Sequence, residues 1–301
     1  MGNKNITILS VSFNSSLHLK RLIKNFLLKT AKLENIKFLI VDNTNGDDKN
    51  LYTAFDNSYD LRIIKNNNRF KQRSLSHANA LDFGMEHVDT KFTLIVDPDI
   101  HIFYKNWDEF CLAKMNLNLQ TVIGAPYPQW KLGKVHNYPS VVFMFFHTSF
   151  VKSFGKTFYP FPKLYKRIYN SIVRKFVRLG GIANKNRLGK YENLQLICNW
   201  LEKLTGITSP DTGKEIISKF HDKGYSSIVF SSPYEQYFRK KNDLELKLLA
   251  KDFEVFTFED KPFISHMYSS GVYHWRGKRS SDLNYWKDLI KKIEDKIGKS
   301  Y

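Results

Sequence analysis

Cysteine is nearly absent from this chain. The two residues present among 301, Cys111 and Cys198, are too few for a disulfide framework or a thiolate metal cluster. That usage fits a reducing compartment, so the expected setting is the cytoplasm. Long apolar runs are missing as well. The longest, Val141-Val-Phe-Met-Phe-Phe, falls far short of the roughly 20 residues that span a bilayer. The opening Met1-Gly-Asn-Lys-Asn lacks the apolar stretch and small-residue cleavage site of a signal peptide. These shortages argue against a disulfide-stapled scaffold and a membrane-spanning bundle. The sequence also shows no internal repeat and no low-complexity linker.

Acidic residues are in short supply too. Lys and Arg number 47 against 29 Asp and Glu, a formal net charge of +18. Such an excess attracts polyanions: nucleic acid, anionic lipid headgroups or phosphorylated substrates. A nucleic-acid-binding protein would carry a zinc finger or an aromatic RNA-binding sheet motif, and neither is found, so nucleic acid is not an expected partner. With 42% hydrophobic residues the chain can bury a substantial core, and its length suits one large domain or one domain with an appendage.

What is present begins with alternating strand and helix patterns. Ile6-Thr-Ile-Leu-Ser-Val-Ser-Phe and Ile36-Lys-Phe-Leu-Ile-Val read as buried strands, with a third at Leu61-Arg-Ile-Ile-Lys and a fourth at Phe92-Thr-Leu-Ile-Val. Between the first two, Ser15-Ser16 are expected to cap a helix over Leu17 to Lys29, whose stripe is Leu19, Leu22, Ile23, Phe26 and Leu27. A helix over Ser76 to His87 separates the third strand from the fourth. This order predicts an α/β fold, a mostly parallel sheet with helices on both faces, whose ligands bind at strand C-termini. Three regions are expected. Residues 1–150 form an α/β core, 151–210 a basic, aromatic helical insertion, and 211–301 the remainder of the same domain. In the insertion, Ile168, Ile172, Phe176 and Leu179 share one helical side while Lys166, Arg167, Arg174, Lys175 and Arg178 fill the rest. That pattern fits either a helix lying in an anionic membrane interface or one packing its apolar side on the domain. Ser281 to Lys299 reads as a charged amphipathic helix.

The chemistry centres on Asp97-Pro98-Asp99 at the end of the fourth strand. Two carboxylates one residue apart can hold a divalent cation, which would neutralise a diphosphate leaving group. Alone, such a pair is also an ordinary surface turn. Its setting adds more. Val11-Ser12-Phe13-Asn14 closes the first strand, Ile40-Val41-Asp42-Asn43-Thr44 closes the second, and Ser76-His77-Ala78-Asn79-Ala80 with Phe83-Gly84 opens a helix. Phe92-Thr-Leu-Ile-Val-Asp97-Pro98-Asp99 completes the set. In order and spacing, residues 6–102 resemble the family 2 glycosyltransferases of the GT-A (nucleotide-diphospho-sugar transferase) fold.

That resemblance implies a transferase using a nucleotide-sugar donor and Mn²⁺ or Mg²⁺, inverting by family habit. The acceptor would be a saccharide or lipid-linked saccharide, as in bacterial surface-polysaccharide assembly. It implies that Ser12, Asn14, Asp42 and Asn79 face the donor, that Arg69 and Arg73 meet its phosphates, and that Asp97 and Asp99 hold the metal. The loop Arg69-Phe-Lys-Gln-Arg73 is bulkier and more basic than the family's Gly-rich approach. An inverting transferase needs a carboxylate base, and Asp211 in Ser209-Pro-Asp-Thr-Gly is the first choice, with Glu235 second. A helix-capping role accounts for Asp211 equally well. A late histidine often serves as third metal ligand in this fold; His266 is placed there before His274. Arg276, Lys278 and Arg279 would close over the diphosphate. The implied location is cytoplasmic, with peripheral contact at the inner face of the plasma membrane as a further expectation. The alternatives are a nucleotidyltransferase acting on sugar phosphates, for which the Gly-rich signature loop is missing, and a catalytically dead carbohydrate-binding relative.

Overall fold

The computed structural model describes residues 4–55, 59–67, 69–155, 158–160, 164–206, 211–240, 243–267 and 282–298. The chain opens with β1 (Ile6–Ser12), α1 (Ser16–Lys29), β2 (Ile36–Asp42), α2 (Lys49–Thr53), β3 (Leu61–Lys65), α3 (Arg73–Glu86) and β4 (Phe92–Val96). It continues through β5 (Ile100–Ile102), α4 (Trp107–Leu117), β6 (Thr121–Pro126), β7 (Pro139–His147) and α5 (Thr148–Ser153). Helices α6 (Leu164–Val177), α7 (Lys185–Lys190), α8 (Glu192–Thr205) and α9 (Lys214–Asp222) follow. The last elements are β8 (Ser226–Val229), α10 (Leu244–Asp252), β9 (Glu254–Phe258), β10 (Lys261–His266) and α11 (Leu283–Gly298).

Seven strands form one sheet in the order β3-β2-β1-β4-β7-β6-β8, in which β7 alone runs antiparallel to its neighbours. Alternation along the strands loads both faces. On β1, Ile6 and Ile8 pack beneath α1 (Leu22, Phe26) and α4 (Trp107), while Leu9 and Val11 pack beneath α3 (Ala78, Leu81) and α9 (Ile216). Burial on both faces is why these strands read as continuous apolar runs rather than alternating ones. The result is the expected α/β class, a mostly parallel, Rossmann-like sheet with helices on both faces.

A second sheet, β5-β10-β9, is antiparallel and lies just past the end of β4. Asp97-Pro98-Asp99 is therefore the link that carries the chain from one sheet to the other. Helix α11 packs Trp286 and Leu289 with Phe253 and Val255, closing this side of the molecule.

Several local expectations are corrected. Helix α3 starts at Arg73, three residues before the expected Ser76, so Arg73 belongs to the helix and not to the loop. Ser15 holds the N-cap position of α1, yet its hydroxyl donates to Phe13 O and caps nothing. Asp211 does not start α9: the N-cap is Gly213, in the left-handed conformation, and the helix begins at Lys214. On α6, Ile168, Ile172 and Phe176 do not pack on the domain. They are exposed, because Val173 and Val177 make the buried contact instead. Among the described residues no helix is long and apolar enough to cross a membrane.

Candidate functional site

The site is built by register. His266 ends β10 opposite Ile100 of β5 on one side and opposite Glu254 of β9 on the other. The Met267 N–H donates to Asp99 O at 2.9 Å, fixing the link between the two sheets against β10. The imidazole is thereby delivered to the two aspartates. His266 Nε2 lies 3.2 Å from Asp99 Oδ1 and 3.7 Å from Asp97 Oδ2. One donor atom from each of Asp97, Asp99 and His266 falls within 4.8 Å of the others, a spacing that suits a single cation. Two carboxylate oxygens and one imidazole nitrogen form a mixed hard donor set of the kind Mn²⁺ accepts.

The imidazole's other nitrogen supplies an independent test of fit. His266 Nδ1 lies 2.9 Å from Glu254 Oε2, and Glu254 Oε1 lies 2.7 Å from Lys131 Nζ. A metal-ligating histidine commonly has its second nitrogen held by a carboxylate, which fixes the ring and the tautomer. Glu254 occupies that position, and its own charge is balanced by Lys131. All three side chains are nearly fully buried.

Charge in this cluster is arranged around the aspartates. Burial pushes the Asp97 carboxyl upward, and His77, with Nε2 3.8 Å from Asp97 Oδ1, and His266 oppose the rise. Burial alone would lower His266. The carboxylates of Asp99 and Glu254 overcome it and raise the imidazole to about 9. Glu254 is held low in spite of burial by Lys131 and His266. Behind Asp99, burial lowers Arg21 to about 10 against the pull of that carboxylate, and its guanidinium lies 4.3 Å over the Trp286 ring.

A second carboxylate centre is formed by Asp211. Its Oδ2 accepts from Lys134 Nζ at 2.7 Å, and its Oδ1 accepts from Thr212 N at 2.9 Å and from Ser74 Oγ at 3.4 Å. Burial works against ionisation here, but Lys134 and the Thr212 N–H prevail and hold the carboxyl below its ordinary range. Asp211 thereby joins α3, through Ser74, to the loop between β6 and β7 that carries both Lys131 and Lys134.

The remaining expected residues divide. Ser12 is buried at the end of β1, where its carbonyl accepts from Asn43 N at 2.9 Å. Asn14 is exposed, with φ of 54°, a left-handed turn position that asparagine tolerates. Asp42 is fully buried: Thr44 N (2.9 Å) and Thr44 Oγ1 (2.5 Å) donate to Oδ1, and the Tyr52 hydroxyl (2.6 Å) donates to Oδ2. Burial and that bond raise Tyr52 to about 12. Asn79 Oδ1 accepts from Asn66 Nδ2 at 3.1 Å, in a network that runs on through Asn43 to Ser76. Arg69 is exposed before α3, and Arg73 is exposed at the first residue of that helix. Glu235 lies in a short 3-10 turn, Glu235–Tyr237, and among the described residues its side chain forms no hydrogen bond or ion pair with the aspartate cluster. His274, Arg276, Lys278 and Arg279 lie outside the described residues.

Six residues escaped the sequence reading: Arg21, Tyr52, His77, Lys131, Lys134 and Glu254. His77 lies within a motif already quoted, so its proximity to Asp97 was accessible from α3 periodicity. The two lysines sit in a loop without a pattern and gave no signal.

No family model and no curated protein sequence matches the chain. Among solved structures, a mannosyltransferase, PcManGT from Pyrobaculum calidifontis in complex with GDP-Man and Mn²⁺, matches with a TM-score of 0.42 and 11% identity, over 52% of this chain and 48% of that one. S. aureus TarS 1-349 in complex with UDP-GlcNAc matches with a TM-score of 0.39 and 16% identity, again over 52% of this chain and 48% of that one. The chain spans about half the length of each.

Proposed function

We propose that this chain is a metal-dependent, inverting glycosyltransferase that moves a sugar from a nucleotide-diphosphate donor to a saccharide or lipid-linked saccharide acceptor. Its place would be bacterial surface-polysaccharide assembly at the inner face of the plasma membrane. One observation carries the reading: Asp97, Asp99 and His266 converge at the C-terminal end of β4, with the second imidazole nitrogen held by Glu254. Sheets of this kind bind nucleotides at that end.

In this reading Asp97, Asp99 and His266 hold Mn²⁺ or Mg²⁺. When bound, the cation neutralises the diphosphate and stabilises the charge it gains as leaving group. Ser12, Asn14 and Asp42 line the end of β1 and β2 for the base and ribose, with Tyr52 fixing the Asp42 carboxylate in one orientation. Asn79 and Arg73 on α3, Arg69 just before it, and Arg276 and Lys278 are assigned to the donor and its phosphates. Asp211 is kept ionised by Lys134, so it is able to take the proton of the attacking acceptor hydroxyl. In this reading residues 1–150 serve the donor, 151–210 form a basic, aromatic helical insertion, and 211–301 supply the acceptor side of the same catalytic domain.

The test is sugar transfer from a panel of UDP-, GDP-, dTDP- and CMP-sugars with Mn²⁺ or Mg²⁺. Asp99→Ala should abolish transfer, and because its carboxylate is buried beside His266, a thermal melt read beside the assay shows that the variant is folded. Full activity of that variant in chelator would overturn the proposal.

A further inference from the structure

We propose that the outer faces of α6 and α8 form a docking surface for an anionic lipid bilayer. The two helices share one inner cluster. α6 contributes Val173 and Val177, α8 contributes Cys198 and Leu201, and both pack on Trp130 and Leu132 of the loop between β6 and β7. Their other sides therefore turn away from the sheet. On α6 that side carries Tyr165, Ile168, Tyr169, Ile172 and Phe176, at the spacing of a single helical face, each more than half exposed. On α8 it carries Leu196 (64% exposed), Trp200 (60%) and Leu204 (64%), with Ile197 beside them. A surface helix ordinarily buries its widest apolar stripe. Here the narrower valine and cysteine side is buried and the wide aromatic side faces out. Large apolar residues grouped in this way on a surface mark a contact site.

Charge identifies the occupant. Residues 164–206 contain nine Lys and Arg against two Glu. Lys175, Arg187, Lys190 and Lys203 are all exposed on these helices and on α7 between them. A second copy of the chain would set this positive charge against itself. An anionic bilayer satisfies both features together: aliphatic side chains enter the headgroup boundary, and Lys and Arg meet lipid phosphates. Tyr165, Tyr169 and Trp200 are the residue types that settle at headgroup depth.

The surface is joined to the candidate site by short steps. Trp130 and Leu132, buried beneath α6 and α8, flank Lys131, which pairs with Glu254, and Lys134 on the same loop pairs with Asp211. A bilayer seated on the helices would lie on the Asp211 side, the side on which a lipid-linked acceptor must arrive. That last step rests on the sugar-transfer reading; the lipid surface itself does not.

The experiment is vesicle flotation of the full chain, with vesicles of phosphatidylglycerol and phosphatidylcholine compared against phosphatidylcholine alone. The protein should float with the anionic vesicles at low salt and be released at about 1 M salt, where the Debye length is about 3 Å. Lys175→Gln, Lys190→Gln and Lys203→Gln together should lower the partition coefficient by about two orders of magnitude, since each basic side chain near such a surface contributes about a fivefold gain. Ile168→Ser, Ile172→Ser, Phe176→Ser and Trp200→Ser together should abolish flotation, with an unchanged thermal melt because the side chains are already exposed. Both variants should keep wild-type Mn²⁺ binding, so a failure of flotation is distinguishable from a failure of the metal site. Failure of the wild type to float with anionic vesicles at low salt would overturn the proposal. So would flotation of a folded variant at the wild-type level, or a concentration-dependent dimer that the serine variant dissociates in the absence of vesicle binding.

Discussion

Replacing Glu254 by Gln isolates the role of the carboxylate behind the candidate metal ligand. The substitution keeps the size of the side chain and leaves an oxygen for the His266 Nδ1–H, now 2.9 Å away, but removes the negative charge. Two effects follow, and the structure separates them. First, His266 loses the group that fixes its ring and enhances its basicity. Loss of such a partner costs about 10–100-fold in metal affinity, or about 1.4–2.7 kcal/mol. Second, Lys131 loses the carboxylate 2.7 Å from its ammonium in a site where its side chain is 4% exposed. Removing one partner of a buried ion pair costs about 3–5 kcal/mol of stability. Lys131→Met in the Glu254→Gln background should restore most of that stability, because no buried cation then remains, while leaving metal affinity low. Mn²⁺ binding read by electron paramagnetic resonance, beside a thermal melt of each variant, measures both. If Glu254→Gln binds Mn²⁺ within twofold of wild type while losing stability, Glu254 is purely structural and the reasoning that links it to the metal is wrong.

Asp211→Asn should retain Mn²⁺ and donor binding but lower transfer by about 10²–10⁴-fold, the range of a general base; wild-type turnover would move the base elsewhere. The same residue predicts an acid limb of stability. Its folded carboxyl is depressed, so the unfolded chain binds more protons below the ordinary carboxylate value of about 3.9, and the stabilisation present above that pH is lost as pH falls through the folded value. Melts from pH 6 to pH 3 should fall less steeply for Asp211→Asn, and parallel curves would contradict the assignment. Gly84→Ala should destabilise by about 1–3 kcal/mol, because a Cβ there would lie 2.6 Å from Leu9 Cδ1 and 2.9 Å from Val41 Cγ2, where α3 crosses the sheet. An unchanged denaturant midpoint would refute that packing.

The fold was legible where local pattern and burial agree. The runs of β1, β2 and β4 are apolar on both faces because helices cover both, and the acidic pair at the end of β4 follows directly from that strand. His266 was legible only as a histidine after a strand-like run. Its partner Glu254 was not, for a geometric reason. Around the Glu259-Asp260 turn a regular hairpin would set His266 opposite Phe253, but the register shifts between Pro262 and Ile264 and brings Glu254 into line. Pro262 has no N–H to give to a ladder, and no local pattern reveals how far the strand slips there. Lys131 and Lys134 were unreadable because nothing in an irregular loop distinguishes a buried lysine from a solvated one. The sequence of α6 is plainly amphipathic, yet periodicity cannot say which of two apolar stripes will be covered. That was decided by Val173 and Val177 fitting under Trp130, a contact more than 40 residues away in sequence.

Thermal stabilisation by donors reads out the proposed metal-dependent nucleotide-sugar site at Asp97, Asp99 and His266. A ligand at 100 times its dissociation constant should add about 2.7 kcal/mol. At least one sugar nucleotide should raise the melting temperature in Mn²⁺ or Mg²⁺, chelator should cancel the rise, and Asp99→Ala should never show it. A sugar nucleotide that stabilises wild type and Asp99→Ala equally, with chelator present, would contradict the proposed site.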